Sequence, residues 1–290
     1  MRGTYLLQAV VNGILLGGVY ALVALGLTLI FGVMRIVNFA HGALMMIGMY
    51  IAYWIFTLWG INPYLSLPLT MGVLFLLGAA IQRFLIDPIL DAPQHNQLLL
   101  TLGVMLFLEN LALFLWSPDF RTLRLPWLEG AVRAGFFLVN KPRLLAFLFA
   151  LLSTLALYLF LKHTETGKTI RATAQDQVGA ALVGIDVRKV NALTFGIGSA
   201  CVGMAGALVT PYFYTAPQVG HVFLLIAFVV VVLGGLGSFT GALVGGLIVG
   251  VGESIGALLL PGSFKELVIY AIFVLVLLYR PTGLFGERYE

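Results

Sequence analysis

Runs of about twenty apolar residues recur along the whole chain, and an α-helix of that length is what crosses the hydrocarbon core of a bilayer. The runs cover residues 6–33, 38–58, 63–86, 97–116, 144–161, 190–212, 221–258 and 264–280. The seventh is too long for one crossing, and Gly234-Gly235-Leu236-Gly237-Ser238 is predicted to divide it. Eight or nine crossings result, one of them replaceable by a short re-entrant piece. The composition leaves little else open. Hydrophobic residues make up 61% of the 290 and charged residues only 10%, whereas a soluble domain carries about a quarter charged. There is too little polar surface to coat a water-facing sphere. The fold class is therefore all-α: a polytopic integral membrane protein of one transmembrane domain, residues 1–290, in a lipid bilayer. The 34 glycines suit helices that must approach closely without a hydrophobic effect to drive them together.

Arg2 followed by an apolar run to about Val33 lacks the short core and small-residue cleavage site of a signal peptide. It reads as a retained first membrane helix. Two polar loops flank a single crossing and so lie on opposite sides. Residues 117–143 hold Arg121, Arg124, Arg133, Lys141 and Arg143 with three prolines; residues 162–189 hold Lys162, Lys168, Arg171, Arg188 and Lys189. These loops balance each other in the positive-inside rule. The smaller loops break the tie: Arg35, Arg83, Arg280 and Arg288 fall with 162–189, and Arg2 and Lys265 with 117–143. The second loop is expected in the cytoplasm and the N-terminus outside. The formal charge of +4 fits such loops. No basic cluster interleaved with aromatics is present, so nucleic acid is not an expected partner. Cys201, the sole cysteine, cannot form an internal disulfide and reads as a small packing residue.

Gly167-Lys168-Thr169 ends like a nucleotide-binding P-loop, but the first glycine of that motif is replaced by Lys162, and a helix rather than a buried strand precedes it. An ATP site in this chain is not expected. Ile170, Ala174, Val178, Ala181, Leu182 and Ile185 instead recur at helical spacing, with Lys168, Arg171, Gln175 and Asp176 largely off that stripe. Thr164 or Thr166 can cap its start, and Gly179 and Gly184 loosen its end. The pattern fits a helix lying in the headgroups as well as one that docks into a groove on a partner.

Ionisable groups inside membrane helices cost roughly 2.5–3.5 kcal/mol each on insertion scales and therefore face protein or water. Arg35, Asn38 and His41 are spaced to share a slowly rotating face. Arg35 reads as a headgroup anchor, Asn38 as a helix cap or a pathway group, and His41 as a satisfied packing residue or a titrating one. Glu109, inside the fourth run, needs a basic partner or a proton, or serves a translocating ammonium. Glu253 is the third such site. Gly237, Gly241 and Gly245, and then Gly246 and Gly250, form Gly-x-x-x-Gly faces for close helix packing, within the chain or between subunits. No histidine or cysteine set has metal spacing, and His-Glu-x-x-His, Gly-x-Ser-x-Gly and paired membrane aspartates are absent, so neither a metal site nor catalytic residues are expected.

Three stretches resemble the branched-chain amino acid permeases of ATP-binding-cassette importers: residues 26–42 (GLTLIFGVMRIVNFAHG), 167–176 (GKTIRATAQD) and 232–238 (VLGGLGS). The chain resembles the shorter of the two permeases of such systems, over nearly its whole length. The resemblance implies an importer in which a second permease completes the pore, two ATP-binding subunits hold ATP and Mg beneath it, and an extracytoplasmic substrate-binding protein delivers the solute. It implies no cofactor in this chain and alternating access powered by the ATPases. Residues 164–185 become the coupling loop, with Gly167, Lys168, Ile170, Arg171, Ala174, Gln175, Val178 and Leu182 as its contact set, and 117–143 faces the binding protein. Asn38, His41, Glu109 and Glu253 are the candidate translocation-path residues. Urea and short-amide importers share these signatures. A self-sufficient secondary carrier also fits membrane carboxylates, although such a carrier has no motor to dock.

Overall fold

The computed structural model describes residues 2–123, 125–128, 130–134, 137–260 and 264–286; Arg124 and Arg288 lie outside them. Helix α1 (Arg2–Met34) is followed by α2 (Ala40–Trp59), α3 (Leu67–Ile81), α4 (Gln94–Trp116), a hairpin of β1 (Ala131–Ala134) and β2 (Phe137–Asn140), and α5 (Lys141–His163). Two short helices, α6 (Glu165–Gln175) and α7 (Gln177–Leu182), lead into α8 (Val187–Val209), α9 (Val219–Gly234), α10 (Phe239–Leu259) and α11 (Lys265–Tyr279). Among the described residues seven helices are long and apolar enough to cross a membrane, and α9 and α11 are shorter apolar helices.

Local chemistry sets the ends. α1 stops where Arg35 takes a left-handed backbone, φ 56°. The chain then runs non-helically to residue 38. Arg35, Asn38 and His41 therefore do not share a helical face as their spacing suggested. α5 opens on Asn140, whose side chain accepts from the Arg143 N–H, and on Pro142, which needs no N–H bond there. Asp186 caps α8 by accepting from the Lys189 N–H at 3.1 Å. The Lys189 ammonium, 3.0 Å away, and that N–H hold this carboxyl below its usual range. The long apolar run divides as expected at 234–238. Gly235 and Gly237 adopt φ 104° and 83°, a region open to glycine, and Ser238 caps α10 through the Gly241 N–H.

The core is built around α1, α8 and α10, with α2, α3 and α9 against them; α4 and α5 are peripheral and largely exposed. Crossings run through glycines. A Cβ at Gly246 of α10 would lie 2.6 Å from the Ala21 nitrogen of α1, and one at Gly250 would lie 2.5 Å from the Gly13 oxygen. Gly48 on α2 meets Gly203 on α8 equally closely. In a membrane such contact, not water exclusion, supplies the packing energy. Gly241 faces the backbone of Gly234 at the end of α9, and Gly245 faces the Val230 oxygen. Gly237 is not on their helix face: it sits in the turn before α10, where its φ ends the stripe.

Two ends can be told apart. At one, Gln8 of α1 pairs with Leu138 of β2 through both side-chain amide atoms, 2.8 and 2.9 Å, and Arg121 exchanges two backbone bonds with Thr215. At the other lie α6, α7, the 35–38 turn and residues 280–286, whose Leu284 and Phe285 N–H groups donate to the last carbonyls of α9. Loop 117–143, read from the sequence only as polar and proline-containing, carries the β1–β2 hairpin (register Ala131 opposite Asn140).

Candidate functional site

The polar segment after α5 folds as two helices, not as the single striped helix its periodicity suggested. Asp176 is extended (φ −151°, ψ 109°) and accepts the Val178 N–H at 2.9 Å, capping α7. Thr164 caps α6 by accepting the Gly167 N–H at 3.0 Å. The break splits the contact set. Ile170 is 1% exposed, Gly167 is pressed onto the carbonyl end of α5, and Ala174 packs against the core; these face the chain's own interior. Lys168, Arg171 and Gln175 are exposed, with Lys168 paired to Glu165 at 2.8 Å. On α7 Ala180 is buried, but the larger apolar residues point the other way: Val178, Leu182 and the following Val183 are 71%, 83% and 78% exposed. Thr173, fully buried on α6, donates its hydroxyl to the Thr169 oxygen.

One bond ties this segment to the helical core. The Gln177 side-chain amide donates to the Val33 oxygen at 2.6 Å, at the last turn of α1. At the same end, Asp87 faces Arg83 at 3.7 Å and Arg188, from the start of α8, at 3.8 Å. Gln177 was invisible to sequence reasoning, because one amide in a polar stretch carries no signal of a partner so far away in the chain.

The four ionisable or amide groups within the apolar segments do not converge. Asn38 accepts the Ala40 N–H at 3.0 Å and is fully buried at the entry to α2. His41 is fully buried, with Nε2 2.9 Å from the Val23 oxygen of α1. Its ring fills the space that the missing side chain of Gly26 leaves. Glu253 on α10 accepts the Tyr20 hydroxyl of α1 at 2.6 Å. Glu109 on α4 meets His221 on α9, with Nε2 2.9 Å from Oε1 and 3.1 Å from Oε2. Hollows of about 550 Å³ between α2 and α4 and about 440 Å³ among α3, α5 and α8 are lined by apolar and aromatic side chains, and none of the four residues lines them. Among the described residues no group of three His, Cys, Asp or Glu gathers at metal distance. Sequence reasoning missed Tyr20, an unremarkable aromatic inside an apolar run. It also missed His221, which stands at the edge of such a run, where a histidine draws no attention.

A helical bundle of membrane-crossing length, with buried ionisable groups bonded between helices and a charged two-helix loop bearing exposed apolar residues, defines a multi-pass membrane protein. The family model for the permease component of branched-chain amino acid transport systems matches residues 9–277. The chain belongs to this family. It is 33% identical to the high-affinity branched-chain amino acid transport permease LivH of Salmonella typhimurium, over 98% of this chain and 96% of that protein. It is 34% identical to the high-affinity permease BraD of Pseudomonas aeruginosa, over 97% and 96%. The probable branched-chain amino acid permease LivH of Methanocaldococcus jannaschii is 29% identical over 96% and 92%. No solved structure matches it.

Proposed function

We propose that the chain is one of two permeases of an ATP-driven importer that carries branched-chain amino acids across the cytoplasmic membrane. Two ATPase subunits hold ATP and Mg, and an external binding protein delivers the solute. The α6–α7 end faces the cytoplasm in this reading, in keeping with Arg35, Arg83, Lys162 and Arg188 gathered there. The hairpin end faces the binding protein.

The observation that carries the reading is α7. Val178, Leu182 and Val183 are apolar, exposed and clustered on a loop that also carries exposed Lys168, Arg171, Gln175 and Asp176. A patch of that kind, rimmed by polar groups, fits a groove on a partner protein. Gln177, in the same helix, is bonded to the end of α1, and α1 crosses α10 on glycine contacts. A motor that shifts α7 therefore pulls on the helix pair at the centre of the bundle, which is the mechanical requirement of alternating access. Purification of the chain from its native membrane in mild detergent tests the assembly. Recovery of a second permease and two ATPase subunits is the expected result, and a chain that emerges alone, with ATPases from the same cells left in the flow-through, contradicts it.

A further inference from the structure

The Glu109–His221 pair joins the second half of α4 to the first turn of α9. Helix α9 has 16 residues, about 24 Å at 1.5 Å per residue, against a hydrocarbon core of roughly 30 Å. Its other end, Gly234, is held at the α6–α7 end by the 280–286 segment. Its first turn therefore begins inside the membrane, and His221 is in that turn. Glu109 leads to the same depth independently: it precedes the last residue of α4, Trp116, by seven positions, about 10 Å.

The backbone between α8 and α9 agrees. Residues 210–218 are non-helical, with Thr215, Ala216 and Pro217 buried, and non-helical backbone at membrane depth occurs where it is enclosed by protein or lines water. The Thr215 hydroxyl is buried without a hydrogen-bond partner. On the other side His221 is open, its side chain 45% exposed, and it covers Glu109, which is buried behind it. Gln218 and Asn110, both exposed, adjoin it in sequence. A half-exposed ionisable side chain at membrane depth faces protein or water rather than hydrocarbon.

We infer that this face of α4 and α9 lines the aqueous path through the assembled transporter, and that Glu109 is a way-station for the substrate's ammonium group, which takes the place of His221 on the carboxylate. A primary ammonium brings three donors to a carboxylate whose one side-chain partner among the described residues is the His221 imidazole. This deepens the import reading and rests on it: the path runs from the hairpin end, past the start of α9, toward the α6–α7 end.

The chain has one cysteine, Cys201, which is buried, so Cys201→Ala gives a clean background. His221→Cys is placed in it, in the complete transporter reconstituted in vesicles, with Leu152→Cys on the exposed face of α5 as the lipid-facing comparison. A charged, membrane-impermeant thiol reagent is expected to modify His221→Cys roughly 100-fold faster than Leu152→Cys, the factor by which hydrocarbon excludes a charge. Leucine supplied during turnover is expected to slow that reaction, and Glu109→Gln in the same chain to abolish the slowing while leaving the reagent's access. Gln218→Cys, on the same face, keeps the pair intact and gives the same reading where His221→Cys fails to assemble. Equal rates at His221 and Leu152 in vesicles that import leucine overturn the path. Rates indifferent to leucine overturn the ammonium site. A cysteine-free parent that imports nothing counts against the import reading instead.

Discussion

Two aspartate substitutions eight residues apart separate docking from folding. Val178 on α7 is 71% exposed and Ile170 on α6 is 1% exposed, although both belong to one helical stripe in the sequence. Full burial of a valine side chain is worth about 1.5–3 kcal/mol. With most of Val178 still exposed, the greater part, about 1–2 kcal/mol, is available to a docked ATPase. Val178→Asp forfeits that and sets an unpaired carboxylate in an apolar contact, at a further cost of several kcal/mol. The sum passes about 3 kcal/mol, more than 100-fold in affinity. At Ile170 the same change creates a cavity and buries a charge within the chain, beyond the roughly 2–5 kcal/mol of a large-to-small core substitution. The assay is titration of the ATPase subunits onto the permease pair in lipid discs, with thermal melting of each variant alongside. Val178→Asp is expected to melt like the parent and bind at least 100-fold more weakly; Ile170→Asp is expected to fail to accumulate as folded protein. Parental affinity in Val178→Asp, or matched melting losses in both variants, refutes the division of the loop into an inward α6 and an outward α7.

Gln177→Ala removes the 2.6 Å bond to the end of α1; ATPase binding should survive while ATP hydrolysis no longer responds to loaded binding protein, and a fully responsive variant would show that the link is mechanically idle. Gly246→Leu forces a side chain to within 2.6 Å of the α1 backbone and should lower the melting temperature sharply, overpacking costing typically about 1–3 kcal/mol or more, whereas Gly103→Ala, with open space around it, should leave melting unchanged. Tyr20→Phe takes the 2.6 Å hydroxyl bond from Glu253 and should destabilise the protein by about 0.5–1.5 kcal/mol, the range for a typical hydrogen bond; an unaltered melt would mean that other partners hold Glu253.

The membrane crossings were legible because hydrocarbon thickness imposes a run length, and the break at 234–238 because glycines able to take positive φ are visible as letters. The polar loop was legible as amphipathic, but not its fold. Periodicity extends Ile170, Ala174 and Val178 into one stripe, while Asp176, one cap among several polar residues, turns the second half outward. The same limit applies to Arg35, Asn38 and His41: their spacing is helical, yet Arg35 ends the helix. Glu109 announced its need for a partner, but the partner, His221, lies on another helix more than a hundred positions away. Pairing of that kind is set by how α4 and α9 pack, which no local pattern encodes.

The central claim, that this permease moves branched-chain amino acids only when a motor grips its α6–α7 segment, is tested most directly by uptake of labelled leucine into vesicles holding the purified complex. Uptake that requires ATP, loaded binding protein and an unmodified Val178 is the expected result. Uptake by the isolated chain without ATP, or ATP-dependent uptake undiminished by Val178→Asp, would contradict it.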